Sequence, residues 1–112
     1  MRPIYCGDDV SYTLVFKNSD GSPVDITGWK IYFTIKKDPL MTDVQASLKK
    51  DITEHDDPIN GISSIHLSSS ETRVLTPFLY YFDIQVKKTD DTILTILVDR
   101  LDVKADVTYR TD

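Results

Sequence analysis

Cysteine, histidine and closely spaced aspartates are the residues here that could do chemistry, and they are few. Covalent catalysis needs a nucleophile beside a base that a third group holds in place. The chain has one cysteine, Cys6, and two histidines, His55 and His66. His55 sits in the turn-like Glu54-His-Asp-Asp57, and His66 falls on the Ile62/Ser64 side of an alternating segment, opposite Leu67. Both read as solvated or rim histidines. With no G-x-S-x-G, phosphate-binding loop or G-x-G-x-x-G, the expectation is a protein that is not an enzyme, with no catalytic residue and no cofactor.

Metal binding is the next chemistry to weigh. Asp8-Asp9, Asp56-Asp57 and Asp90-Asp91 would suit the oxygen preference of calcium if loops gathered them. Asn18 and Asp20 precede Gly21 as in a calcium loop, but Phe16 stands where another ligand belongs and no glutamate follows at the required distance. Adjacent residues such as His55, Asp56 and Asp57 seldom converge on one ion without a third element. Turn formation is the simpler reading, because aspartate hydrogen-bonds its own neighbouring backbone, and no metal site is expected. Trp29, Tyr32, Tyr81 and Tyr109 could form a sugar-binding or partner surface. Trp29 is expected to plug or close the core, while Tyr32 and Tyr81 lie on polar faces and leave both readings open.

The elements that must position these residues follow from composition. Of 112 residues, 43 are Ile, Val, Thr, Phe, Tyr or Trp, and only two each are Ala and Glu, which predicts an all-β domain. Sixteen of the 18 acidic residues are Asp, so much of the net charge of -5 belongs to turns. That charge argues against binding a nucleic-acid backbone. No apolar run is long enough for a membrane-spanning helix, and the first residues lack the apolar stretch of a secretory signal. One cysteine cannot make an internal disulfide, which fits a domain made in the cytosol. No repeat or linker divides the chain, so residues 1–112 are expected to form one domain.

Alternation places the strands. After a short edge segment at Pro3 to Tyr5, Tyr12, Leu14 and Phe16 share a face, then Asn18 to Ser22 turns the chain. Ile31, Phe33 and Ile35 oppose Lys30, Tyr32, Thr34 and Lys36. Residues 37–45 read as a long loop, Ala46 to Ile52 as a weaker strand, and Ile62 to Leu67 as a further strand after two turns. Ser68 to Thr72 opens a short helix that Pro77 limits to about two turns. Tyr80, Phe82, Ile84 and Val86 oppose Tyr81, Asp83, Gln85 and Lys87. In Thr92 to Arg100 both faces are apolar: Ile93 and Leu97 lie with Thr95 on one, and Leu94, Ile96 and Val98 on the other. Either the rest of the domain covers this strand or one face meets another subunit. Leu101, Val103 and Val107 read as a last strand. Seven to nine short strands with regular turns predict an immunoglobulin-like antiparallel β-sandwich with one short helical turn.

Several stretches carry a resemblance. Gly7-Asp-Asp9, Tyr12-Thr-Leu-Val-Phe16, Asp20-Gly-Ser-Pro-Val-Asp-Ile-Thr-Gly28 and Ile31-Tyr-Phe-Thr-Ile-Lys36 resemble small immunoglobulin-like domains of tailed-phage and prophage virion proteins, including the N-terminal domain of baseplate upper proteins. Gly61-Ile, Ile65-His-Leu-Ser68, Glu71-Thr72, Leu75, Tyr80-Tyr-Phe-Asp-Ile84 and Asp106-Val-Thr108 resemble the second half in order and spacing. The chain departs from the family at Phe78, Asp90-Asp91 and Asp99, where glycine is common. The resemblance implies a structural component of the tail, baseplate or neck, found in the virion and in the bacterial host cytoplasm during assembly. Its implied partners are other virion proteins and further copies of itself, with no nucleic acid or membrane. The residues expected to supply contacts are Phe78, Leu79, Tyr81, Leu94, Ile96, Val98, Leu40 and Met41. An adhesion or carbohydrate-binding module is the alternative.

Overall fold

The computed structural model describes residues 3–38, 40 and 46–105. Its strands are β1 (Ile4–Tyr5), β2 (Val10–Val15), β3 (Lys30–Lys36), β4 (Leu48–Ile52), β5 (Ile62–Leu67), β6 (Phe78–Lys87) and β7 (Ile93–Lys104), with helix α1 (Ser69–Val74) between β5 and β6. They form a two-layer β-sandwich. One layer is a five-stranded sheet in the order β1-β7-β6-β3-β4, and the other is the antiparallel pair β2-β5. Placing β2 and β5 opposite β3, β6 and β7 is the arrangement of an immunoglobulin-type sandwich.

Period-two burial explains why these segments pair as they do. Ile31, Phe33 and Ile35 on β3 and Tyr80, Phe82, Ile84 and Val86 on β6 are buried, and the intervening residues face outward. The β3-β6 register sets Phe33 opposite Ile84 and Ile35 opposite Phe82. Ile65 and Leu67 of β5 close the core from the other layer, with Tyr12, Leu14 and Phe16 half-buried against it. Tyr80 has a second role: its hydroxyl donates to the Thr76 carbonyl at 2.8 Å, which locks the entry to β6 as a tyrosine corner does.

Helix α1 forms because its first turn is capped from both directions. The Glu71 amide donates to Ser68 Oγ, and the Ser68 amide donates to the Glu71 carboxylate. The backbone is already extended at Leu75, two residues before Pro77. A 3-10 turn at Pro58–Asn60 fills the second turn region and ends on Gly61 in the left-handed conformation.

Three expectations need correction. The sheet is mixed, because β1 pairs with β7 in parallel, Ile4 beside Val103 and Tyr5 beside Lys104. A two-residue strand has no alternation from which to read its direction. Secondly, Leu101 and Val103 do not begin a new strand but continue β7, where they are its buried residues. Val107, together with Pro39, Met41 and Val44 of the long loop, lies outside the described residues. Thirdly, the faces of β7 differ from simple alternation. A β-bulge lets Ile84 pair with Leu97 and the next residue, Gln85, pair with Thr95. Ile96 is the extra residue, so Leu94 and Leu97 share the core-side face while Ile93, Thr95 and Val98 face outward.

Candidate protein interface

Strand β7 is the anomaly of the sandwich. Ile93 to Arg100 are all exposed, although five of these eight side chains are apolar. Ile93, Leu94, Ile96, Leu97 and Val98 retain between 42% and 62% of their surface. Two causes combine. The β2-β5 layer has two strands against five, and among the described residues Leu94 and Leu97 on the core-side face stay 44% and 42% exposed. In addition, β1 reaches only Val103 and Lys104, so the described residues leave the edge from Ile93 to Asp102 without a strand partner. A long apolar edge strand presents backbone donors and acceptors in a row and is a template for another chain.

Leu94, Ile96 and Val98, expected as contact residues, are all exposed on β7, Leu94 on the core-side face, Val98 on the outer face and Ile96 at the bulge. Ile93 and Leu97, of the same apolar run, are exposed beside them. In regular alternation Leu94 and Leu97, three residues apart, fall on opposite faces, and the bulge brings them to one. Phe78 and Leu79 are each 47% exposed but pair with Val103 and Asp102, at the end of the β6-β7 ladder away from Ile93. The Phe78 ring meets Tyr80 edge to face at 5.3 Å, with the Lys37 ammonium 5.4 Å above it. Tyr81 is half-buried opposite Arg100, whose guanidinium lies 5.6 Å from its ring. Leu40 is 91% exposed. Met41 lies outside the described residues.

The chemically capable residues are otherwise occupied. Cys6 is buried and donates its S–H to the Leu75 carbonyl at 3.0 Å. His55 bridges Trp29 O and Ser63 Oγ, both at 2.8 Å. Because a carbonyl only accepts, His55 Nε2 carries the proton and, in the neutral ring, Nδ1 accepts from Ser63. His66 does meet a serine, Ser11 Oγ at 2.8 Å from Nδ1. The two are exposed cross-strand partners of β5 and β2, and among the described residues no hydrogen bond holds His66 Nε2.

Turn chemistry accounts for several aspartates. Asp20, Asp25 and Asp90 each accept from the amide two residues on, at Ser22, Thr27 and Thr92. The hydroxyl of that same residue, followed by its amide, holds each carboxyl below the usual range. Asp9 accepts from the Ser69 amide at the start of α1. Among the described residues no group of three or more His, Cys, Asp or Glu is placed to hold a metal ion, and no helix is long and apolar enough to cross a membrane.

The aromatic candidates divide. Trp29 is half-buried, meets Phe16 edge to face at 5.9 Å and lies under the Lys88 ammonium, closing one end of the core. Tyr32 lines a depression of about 380 Å³ on the outer face of the large sheet, with Thr34, Asp83 and Gln85 among its neighbours. Tyr109 lies outside the described residues. No protein-family model and no curated protein matches the chain.

Proposed function

We propose that this chain is a non-enzymatic assembly protein that works by binding further copies of itself and neighbouring structural proteins through β7. The observation that carries the reading is the exposed apolar strand Ile93 to Val98 with its open edge, whereas β3 buries Ile31, Phe33 and Ile35 and β6 buries Tyr80, Phe82, Ile84 and Val86. The resemblance to tailed-phage virion domains supplies the setting, a tail, baseplate or neck, where modest contacts multiply around a closed ring. Light scattering coupled to size-exclusion chromatography over a range of concentrations tests it. A discrete oligomer supports the proposal, and a monomer at every concentration contradicts self-assembly.

A second reading, a carbohydrate-binding module, draws on the outer-face depression with Tyr32, Asp83 and Gln85. Saturable binding on a glycan array that Tyr32→Ala abolishes would favour it.

A further inference from the structure

We propose that the end of the outer sheet face beside the β6-β7 turn is a binding site for a phosphate group. The inference is independent of the assembly role of β7. It begins from a violation of sheet chemistry. In the β3-β6 ladder Lys30 lies directly opposite Lys87, and both point away from the core. Like charges at directly opposed positions destabilise a sheet. Local rules of this kind are broken where a function needs the residues.

The surroundings reinforce the charge. A depression of about 260 Å³ is lined by Gly28, Lys30, Lys87, Lys88, Thr89 and Asp91. Three lysines and Asp91 line it, with Asp90 of the same turn near enough to act on Lys88, on a chain whose net charge is -5. Asp91 offsets them weakly: its carboxylate is 86% exposed and stands 3.7 Å from Lys87 Nζ. Asp90, in the same turn, accepts from the Thr92 amide. Lys88 is steadied from below by the Trp29 ring, 5.3 Å from its ammonium. Lysines act as point charges on phosphate oxygens, and Thr89 adds a hydroxyl donor. A nucleic-acid strand does not fit this pattern, because Asp51 and Asp83 interrupt the cationic positions further along the face.

The experiment is thermal unfolding in inorganic phosphate against chloride at equal ionic strength, with amide chemical shifts as the second readout. Phosphate should raise Tm saturably and shift the Gly28 and Thr89 amides. Lys30→Thr should raise Tm in chloride, because the repulsion is relieved, and abolish the phosphate-dependent rise. Lys49→Thr, outside this depression, should retain that rise. Tighter binding of glucose 6-phosphate would assign an esterified phosphate as the ligand, and equal binding the free ion. Equal effects of phosphate and chloride, or a phosphate effect that survives in both Lys30→Thr and Lys87→Thr, would overturn the site.

Discussion

Glu71 ties three parts of the molecule together through one carboxylate. It accepts from the Ser68 amide at 2.9 Å and from Lys50 Nζ of β4 at 2.9 Å, thereby pinning α1 to the edge of the large sheet. The Ser68 amide first, and the Lys50 ammonium after it, hold its carboxyl below the ordinary value of 4.5. A folded-state pKa below the unfolded one stabilises the fold fully above that ordinary value and ceases to do so as pH falls through the folded one. Glu71→Gln should therefore lower the denaturation midpoint at neutral pH, and the gap from wild type should close below about pH 4.5. A gap unchanged by acid would contradict this role. Removing the reciprocal cap with Ser68→Ala should cost about 1 kcal/mol in the same measurement.

His55 supports a second prediction at this scale. Ser63 is fully buried, and its hydroxyl bonds to His55. His55→Leu strands that hydroxyl and should cost roughly 1 to 3 kcal/mol, because a buried polar group loses its partner. Adding Ser63→Ala should recover part of the loss in a double-mutant cycle. Strict additivity would mean that the two do not act together.

At the scale of elements, turns set the layers, and Gly61 is a turn residue hemmed in by backbone. Its φ is 72°, and a Cβ there would stand 2.5 Å from the Phe16 carbonyl oxygen and 2.7 Å from that of Val24. Gly21 has a φ of 88° and nothing within 4 Å of the same position. Gly21→Ala should cost about 1 to 2 kcal/mol for the left-handed conformation alone. Gly61→Ala should add roughly 1 to 3 kcal/mol, because the backbone must shift to relieve the contact. Chemical denaturation of the two variants checks the difference, and equal losses would contradict it.

The same elements show what was legible beforehand. Strands β3 and β6 could be read from alternation, since each buries every second residue against the core. Helix α1 could be read from its cap and the following proline. The parallel pairing of β1 and the continuation of β7 through Leu101 could not, because both depend on neighbours distant in sequence. The bulge at Ile96 changed the faces of β7, so that Leu94 shares a face with Leu97 and not with Val98, which alternation could not show. The cationic end of the outer face was equally hidden. Lys30 and Lys87 are far apart in sequence and become neighbours only through the β3-β6 register.

For the whole molecule the governing fact is the mismatch between a five-stranded layer and a two-stranded one. Exposed apolar edges are normally blunted by charge, proline or a covering loop. Charge enters β7 at Asp99 and Arg100, after the apolar run. Leu94→Asp should leave unfolding within about 0.5 kcal/mol of wild type, as surface substitutions do, while abolishing association. Ile84→Asp, at a position 1% exposed, should prevent folding. If Leu94→Asp unfolded the protein instead, β7 would belong to the monomer's own core.

The most direct test of the proposed assembly surface is amide hydrogen exchange across Ile93 to Asp102, compared between dilute and concentrated protein. In the monomer, amides on the open edge should exchange fast while those bonded to β6 are protected. In the assembly, protection should appear along this strand and exceed any change on β3 or β5. Exchange along β7 that is equally fast at both concentrations, with protection arising elsewhere or nowhere, would contradict β7 as the surface through which the protein assembles.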